Sequence, residues 1–351
     1  MNDLFKTYHE DKETWDMCAE TYEKQIVGGH PDIVAFESFE EDFLDYLLKY
    51  LSTSQQRPIK LMDIGCGSGR LHQFFGAKTI PLNKLPTTSP YRNQKKKDRM
   101  AYNPVLTKKL NEIWGIDFSQ QMISLAERKL SESGFPEISP VKFSFELGSA
   151  FNLKPENDDV LPIAVCLVNS IGVMQGPQGA AKIFESMRRA VEKANGIAII
   201  SAYQQEYVGS YGLGQYESTL DVSGQPRWMV PDTFSSDKYL QVARDYKLAH
   251  SKDTTLTVDV FDSHGEIIKE NHCLVRDLST VQKVIESGKI RTYSNYKSHW
   301  YSFKQFDDWI EKYWIDPSYH IETRHLDATR AEPAHLAILD VGDHLNGLFE
   351  N

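Results

Sequence analysis

The chain has 351 residues, 40% of them hydrophobic and 11% aromatic, which is enough apolar material for one large core or for a core with an inserted second unit. Asp and Glu number 49 against 39 Lys and Arg, a formal net charge of −10 that argues against nucleic acid as a partner, because surfaces that hold phosphate backbones are basic. Mean hydropathy is −0.46 and no apolar run reaches the roughly eighteen residues that a membrane span needs, so no membrane partner is expected.

The N-terminal stretch MNDLFKTYHEDKETW has neither the basic flank nor the apolar segment of a secretory signal. Trp15, Cys18, Ala19, Tyr22 and Ile26 then recur at helical spacing until Gly28-Gly29-His30-Pro31 ends the run. Phe39, Phe43, Leu44, Leu47, Leu48 and Leu51 mark a second amphipathic helix, and Ile59 to Ile64 is the first strand. A basic stretch follows: 78–109 carries nine Lys or Arg against one Asp and reads as a solvated surface insertion, with a docking patch as the alternative.

Beyond it strands and helices alternate. EIWGIDF (112–118) is a strand, 120–131 a helix, VKFSFELGSA (141–150) a strand, and LPIAVCLVNSIG (161–172) a nearly all-apolar strand of the kind buried on both faces of a parallel sheet. A helix over 180–194 and the strand GIAIISAY (196–203) complete the series. This rhythm predicts an α/β fold with a doubly wound parallel sheet. After Tyr203 the pattern changes to period-two alternation about a turn at Asp262 to Gly265, a hairpin signal. SFKQFDDWIEKYW (302–314) is a helix, and HIETRHL and AHLAILDV return to the sheet. The expected organisation is a helical cap over 1–55, a core over 56–203 and 297–351, and an inserted antiparallel β-rich unit over 204–296.

The four cysteines, Cys18, Cys66, Cys166 and Cys273, have no paired spacing and read as reduced thiols of a cytoplasmic protein. His264, His272 and Cys273 lack metal-ligand spacing, so no metal is expected. No Gly-x-Ser-x-Gly elbow occurs, which argues against a hydrolase.

The informative segment is the end of the first strand, Asp63-Ile64-Gly65-Cys66-Gly67-Ser68-Gly69. Glycines permit positive φ at a sharp turn and leave room for ligand atoms against the backbone. A dinucleotide fingerprint would need a third glycine where Arg70 stands, and a phosphate-binding P-loop would need Gly-Lys-Ser/Thr; both are missing. Asp117, ending the second strand ahead of a helix, has the place of an acid that accepts ribose hydroxyls, or of a helix N-cap.

LMDIGCGSG (61–69) and GIDFSQQMI (115–123) resemble the motifs of the class I S-adenosylmethionine-dependent methyltransferases. The resemblance covers 59–203 well and 300–341 more loosely. It implies a Rossmann-like seven-stranded sheet whose last strand is antiparallel, its final two strands coming from the C-terminal segments. It implies S-adenosyl-L-methionine as cofactor, held by Asp63, Gly65, Cys66, Gly67 and Gly69 of the turn. Asp117, Phe118 and Met122 would follow from the second strand and its helix, Ser149, Ala150 and Phe151 from the end of the third strand, and Asn169 from the end of the fourth. Many members of that family carry an acid near Ser149; here Ser149 and Phe151 would have to serve the adenine.

Methyl transfer is an in-line displacement, so positioning of the acceptor supplies much of the rate. Asn169 and Ser170, at the carboxyl end of the fourth strand, are the candidate catalytic residues; their alternative role is to satisfy backbone groups there. Asn-Ser-Ile-Gly (169–172) is not the Asn/Asp-Pro-Pro-Tyr of nucleobase amine methylation. Tyr203, Tyr211, Tyr216 and Trp228 could face a cation or form the core of a small sheet, and Tyr22 and His30 are candidate lid groups. The expectation is an enzyme methylating a small molecule, on nitrogen ahead of oxygen or carbon. A catalytically silent cofactor-binding protein and a methyltransferase for basic protein side chains are the alternatives.

Overall fold

The computed structural model describes residues 16, 19, 31–85, 109–174, 176–203, 240–245, 260–261, 267–269, 293–298, 301–315, 317–323, 334–346 and 348. Asp16 and Ala19 are helical, and helix α1 (Pro31–Ser54) follows. Strand β1 (Ile59–Ile64) leads through the glycine turn into α2 (Arg70–Lys78). Then come β2 (Leu110–Asp117), α3 (Gln120–Ser133), β3 (Lys142–Leu147), β4 (Leu161–Cys166), α4 (Gly176–Glu192) and β5 (Ile197–Tyr203). Strands β6 (Leu240–Asp245), β7 (Val260–Phe261), β8 (Ile267–Lys269) and β9 (Tyr293–Ser298) precede α5 (Phe303–Tyr313), β10 (Ser318–Thr323) and β11 (Ala334–Asp340).

Seven strands form one sheet in the order β10-β11-β5-β4-β1-β2-β3. Strands β1 to β5 pair in parallel, while β11 runs antiparallel to both β5 and β10. The expected closing strands therefore are β10 and β11, and β11 is buried at every position because it lies between two partners. Strands β6 to β9 form a separate antiparallel sheet in the order β8-β7-β6-β9, with Phe261 opposite Ile267 across the expected hairpin.

Alternation along the strands decides which helix covers which face. Ile59, Leu61, Ile163, Ile197 and Ile199 pack with Leu44, Leu47, Leu48 and Leu51 of α1 on one side. Met62, Ile64, Ala164, Ala198 and Ile200 pack with Ile183, Phe184 and Met187 of α4 on the other. By the same alternation Asp63 of β1 and Ser201 of β5 point to the α1 side, which matters below. Local chemistry sets the helix ends. Ser119 caps α3 by accepting from Met122 N, Gly134 ends it in the left-handed region at φ 66, and Ser302 with Gln305 forms a capping box on α5.

Two strand ends depart from expectation: the strand expected over 141–150 stops at Leu147, ahead of a 3-10 turn at Ala150–Asn152, and the fourth strand is also shorter. The apolar run 161–172 was expected to be strand throughout, but β4 stops at Cys166. Val168 and Asn169 take φ 50 and 55, and Ser170–Val173 is a 3-10 turn. An apolar run specifies burial, and a buried turn satisfies it as well as a strand does. The pattern around Trp15, Cys18, Tyr22 and Ile26, the basic residues 86–108, Cys273 and the turn at 262–265 lie outside the described residues.

Candidate functional site

The carboxyl ends of β1 and β2 are tied together by one carbonyl. Gly65 N and Cys66 N both donate to Ile116 O, at 2.9 and 3.0 Å, which folds the chain back sharply after β1. Gly65, Gly67 and Gly69 have φ of 77, 49 and 79, a region that glycine enters without cost. The three glycines face different surroundings. A Cβ on Gly69 would stand 3.1 Å from Ala126 Cβ and 3.2 Å from Phe145, so that glycine serves close packing against α3 and β3. A Cβ on Gly67 would meet nothing within 4 Å. There the backbone is open to a ligand.

Asp117 braces this turn. Its Oδ2 accepts from Gly67 N at 3.0 Å and its Oδ1 from Ser119 N at 2.9 Å. Burial pushes its carboxyl up to about 6, against the pull of the backbone N–H groups of Ser119, Gly67 and Phe118. The N-cap of α3 is Ser119, so the alternative reading of Asp117 as that cap is corrected: its short side chain turns back to the glycine loop. Asp63, one strand over, is buried and pushed up to about 7 by burial first, with Arg70 lowering it and Asp117 and Glu40 raising it. Burial also pushes the Cys66 thiol well above its ordinary range, which leaves it a neutral side chain and no nucleophile.

A pocket opens at the turn, lined among others by Asp63, Gly65, Gly67, Arg70, Val168 and Ser170. It lies where the sheet order reverses, between β1 and β4, the place where open α/β sheets bind ligands. No family model matches the chain, and no curated protein matches it. Solved structures are similar to it at low identity. One is an S-adenosylmethionine-dependent methyltransferase from Clostridium acetobutylicum ATCC 824, 13% identical over 93% of this chain and 98% of that one, with a TM-score of 0.45. Another is the CcbJ methyltransferase from Streptomyces caelestis, 13% identical over 93% and 98%, with a TM-score of 0.47. A third is the small RNA methyltransferase HEN1, 15% identical over 86% of this chain and 25% of that one, with a TM-score of 0.43. Independently of these likenesses, the sheet itself has five parallel strands, with β11 inserted antiparallel between β5 and β10. The fold is the Rossmann-like seven-stranded sheet, with one antiparallel strand, that the resemblance of 61–69 and 115–123 implies.

On this Rossmann-like fold the expected site residues are distributed as follows. Asp63, Gly65, Cys66, Gly67 and Ser170 line the pocket, and Asp117 stands behind it through Gly67. Asn169 is 3% exposed and does not line it. Phe118 is half-buried, while Met122 is buried in α3. Ser149 is exposed beyond β3, where its Oγ accepts from Phe151 N at 3.3 Å; Ala150 and Phe151 are half-buried, and Lys182 lies over the Phe151 ring at 5.2 Å. Tyr203 is the last residue of β5, opposite Ala334. Tyr22, His30, Tyr211, Tyr216 and Trp228 lie outside the described residues.

Two contributions from the N-terminal helices were missed from sequence. Asp16 accepts from Ser119 Oγ at 2.6 Å and from Gln121 N at 3.1 Å, at the start of α3. Glu40 of α1 accepts from Arg70 Nη2 and from Val168 N, both at 2.7 Å, and from Ser201 Oγ. Arg70, the residue after the turn, also reaches Glu41 Oε1 at 3.4 Å and Glu37 O at 3.2 Å. The signal was present in the spacing. Glu37, Glu40 and Glu41 continue the stripe of Leu44, Leu47, Leu48 and Leu51, so these acids sit on the buried face of α1.

Proposed function

We propose that the chain is an S-adenosylmethionine-dependent methyltransferase acting on a small-molecule acceptor, with nitrogen as acceptor atom ahead of oxygen or carbon. The observation that carries the reading is the left-handed glycine turn at the sheet's reversal point, with Gly67 facing open space. Asp117 fits the same reading: a carboxylate offers about four acceptor sites, so capacity for a ligand hydroxyl remains after its backbone bonds. When bound, S-adenosylmethionine supplies a sulfonium-activated methyl group. The turn residues Gly65, Cys66 and Gly67 with Asp117 are assigned to hold that cofactor, and Phe118, Met122, Ser149, Ala150 and Phe151 to its adenosyl end. Asp63 biases the pocket toward a cation, since it is one of the lining residues and its carboxyl, raised to about 7 by burial, is ionised above that pH.

Ser170, from the lining, is assigned to orient the acceptor, with the buried Asn169 supporting it from behind, and Leu167 and Val168 to exclude water from that side. The inserted stretch 204–296 is assigned as a roof over the acceptor, with Tyr203, Tyr211, Tyr216 and Trp228, and with Tyr22 and His30 from the cap. The net charge of −10 favours a small molecule over nucleic acid. The unpaired Cys66 and Cys166 favour a cytoplasmic location. Incubation with methyl-labelled cofactor and a fractionated metabolite pool tests the reading, since label should appear in a small-molecule fraction. One-to-one cofactor binding without transfer to any fraction would favour a silent binding protein, and label in protein would favour a side-chain acceptor.

A further inference from the structure

Beyond the pocket lining, one buried carboxylate joins three elements. Glu40 of α1 is 2% exposed, yet it touches the loop after β4, the first residue after the glycine turn, and β5. The loop it touches is unusual. Val168 and Asn169 are consecutive non-glycine residues at φ 50 and 55, and a β-branched residue in the left-handed region is a true outlier. Such backbone persists only where its surroundings over-determine it, and it gathers at functional sites. Glu40 Oε1 takes the Val168 N–H at 2.7 Å, while Oε2 takes Arg70 at 2.7 Å and so ties the loop to the turn. Ser170 follows directly, its N bonded to Leu167 O at 2.9 Å, and its side chain lies where a Cβ on Gly65 would be 3.4 Å away.

We propose that Glu40 is a positioning residue of the site: its carboxylate holds Val168–Asn169 in the left-handed conformation that sets Ser170 against the glycine turn. The proposal rests on the methyltransferase reading for its functional meaning. A simple anchor for α1 would need the ion pair with Arg70 and the apolar stripe alone. The bond to Val168 N adds a directed hold on the backbone of a loop whose Leu167 and Val168 otherwise meet the α1 cluster through apolar packing.

The test combines amide hydrogen exchange with calorimetry of S-adenosylhomocysteine, on Glu40→Gln and on Glu40→Gln/Val168→Gly. Gln keeps the shape, but with a single oxygen it must give up either the Val168 bond or the Arg70 contact that ties the loop to the turn, and in both cases the loop loses part of its hold. Amides 168–170 should exchange at least about tenfold faster in Glu40→Gln, while those inside β1 and β5 keep their rates. Affinity for S-adenosylhomocysteine should fall by about tenfold, and Val168→Gly should restore most of it, because glycine takes φ near +50 without strain. Unchanged exchange at 168–170, or faster exchange spread evenly along α1, or no recovery in the double variant, overturns the proposal. If the unaltered chain does not bind S-adenosylhomocysteine, the methyltransferase reading fails instead, and the exchange rates still decide whether Glu40 holds the loop. Should Glu40→Gln not fold, Glu40→Asp is read the same way, its shorter reach predicting the same local loss.

Discussion

Gly67 N donates to Asp117 Oδ2 at 3.0 Å across a separation of fifty residues, so one acid shapes the turn that it is also proposed to assist in binding. Asp117→Ala should therefore act twice, leaving Gly67 N and Ser119 N unpaired and removing the acceptor offered to the cofactor. The expected loss of affinity for S-adenosylhomocysteine is about 2–4 kcal/mol, the scale of buried groups losing their partners. Asp117→Asn, which keeps one oxygen, should fall between the two. Calorimetry decides it; equal affinities in all three proteins would remove Asp117 from the cofactor site.

Two glycines separate binding from folding. Gly67→Ala places its Cβ in open space, so the fold should lose only the roughly 1–2 kcal/mol of left-handed strain. Cofactor affinity should nevertheless drop more than about tenfold, since the new methyl occupies the approach to the backbone. Gly115→Ala is the converse. Its Cβ would stand 2.8 Å from His72 Cε1 and 2.9 Å from Cys66 Sγ, an overpacking that should cost about 1–3 kcal/mol of stability. Thermal melts and binding isotherms on both variants check the contrast, and a Gly67→Ala protein that binds the cofactor as tightly as the parent would contradict it.

Much of this site was legible in the sequence, for a physical reason. Asp63, the three glycines and Asp117 are bound to strand ends, and strand ends follow from apolar periodicity. The sheet's five parallel strands were legible in the same way, from the βαβ alternation. The close of β4 was not, because Leu167, Val168 and Ile171 are as apolar as a strand while the backbone turns left-handed at Val168 and Asn169. Glu40 was not read either. The α1 stripe places it on the buried face, but its partners Val168 and Ser201 lie 128 and 161 residues away, and no local pattern reports such pairing. Asn169 was legible as a polar residue at a strand end, but its burial depends on the same left-handed step.

His72 and His335 are fully buried and should stay neutral in the folded chain. His72 Nε2 lies 3.2 Å from Ser144 O, and its ring stacks on Phe145 at 4.0 Å; His335 Nε2 lies 2.7 Å from Tyr301 O. A carbonyl only accepts, so Nε2 carries the proton in both rings. Burial pushes His72 down to about 4 and His335 down to about 3, from 6.5. As pH falls below 6.5 the unfolded chain binds protons that the folded chain refuses, so their contribution to stability is lost progressively toward pH 4 and pH 3. Nitrogen-detected imidazole spectra should show both rings as neutral Nε2–H tautomers down to pH 5. A titration midpoint near 6.5 for either ring would contradict the burial argument.

Asp63 carries the opposite sign. Burial outweighs Arg70 and lifts its carboxyl from 3.8 to about 7. Below about pH 4 it is protonated in both states and has no effect. Between about 4 and 7 the unfolded chain releases the proton and the folded chain keeps it, so stability declines as pH rises through that window and then levels off. Asp63→Asn removes the cost. It should be more stable than the parent at pH 8, by on the order of 1–4 kcal/mol, and indistinguishable from it at pH 4. The same change should weaken S-adenosylmethionine more than S-adenosylhomocysteine, because a neutral amide in the lining no longer attracts the sulfonium charge. Denaturant melts at the two pH values and paired calorimetry provide the measurement. A variant less stable at pH 8 would mean that Arg70 and the turn fully satisfy the ionised carboxylate, and that Asp63 is kept for the fold. A more stable variant with weakened sulfonium binding would mean that the site retains a destabilising charge because the ligand needs it.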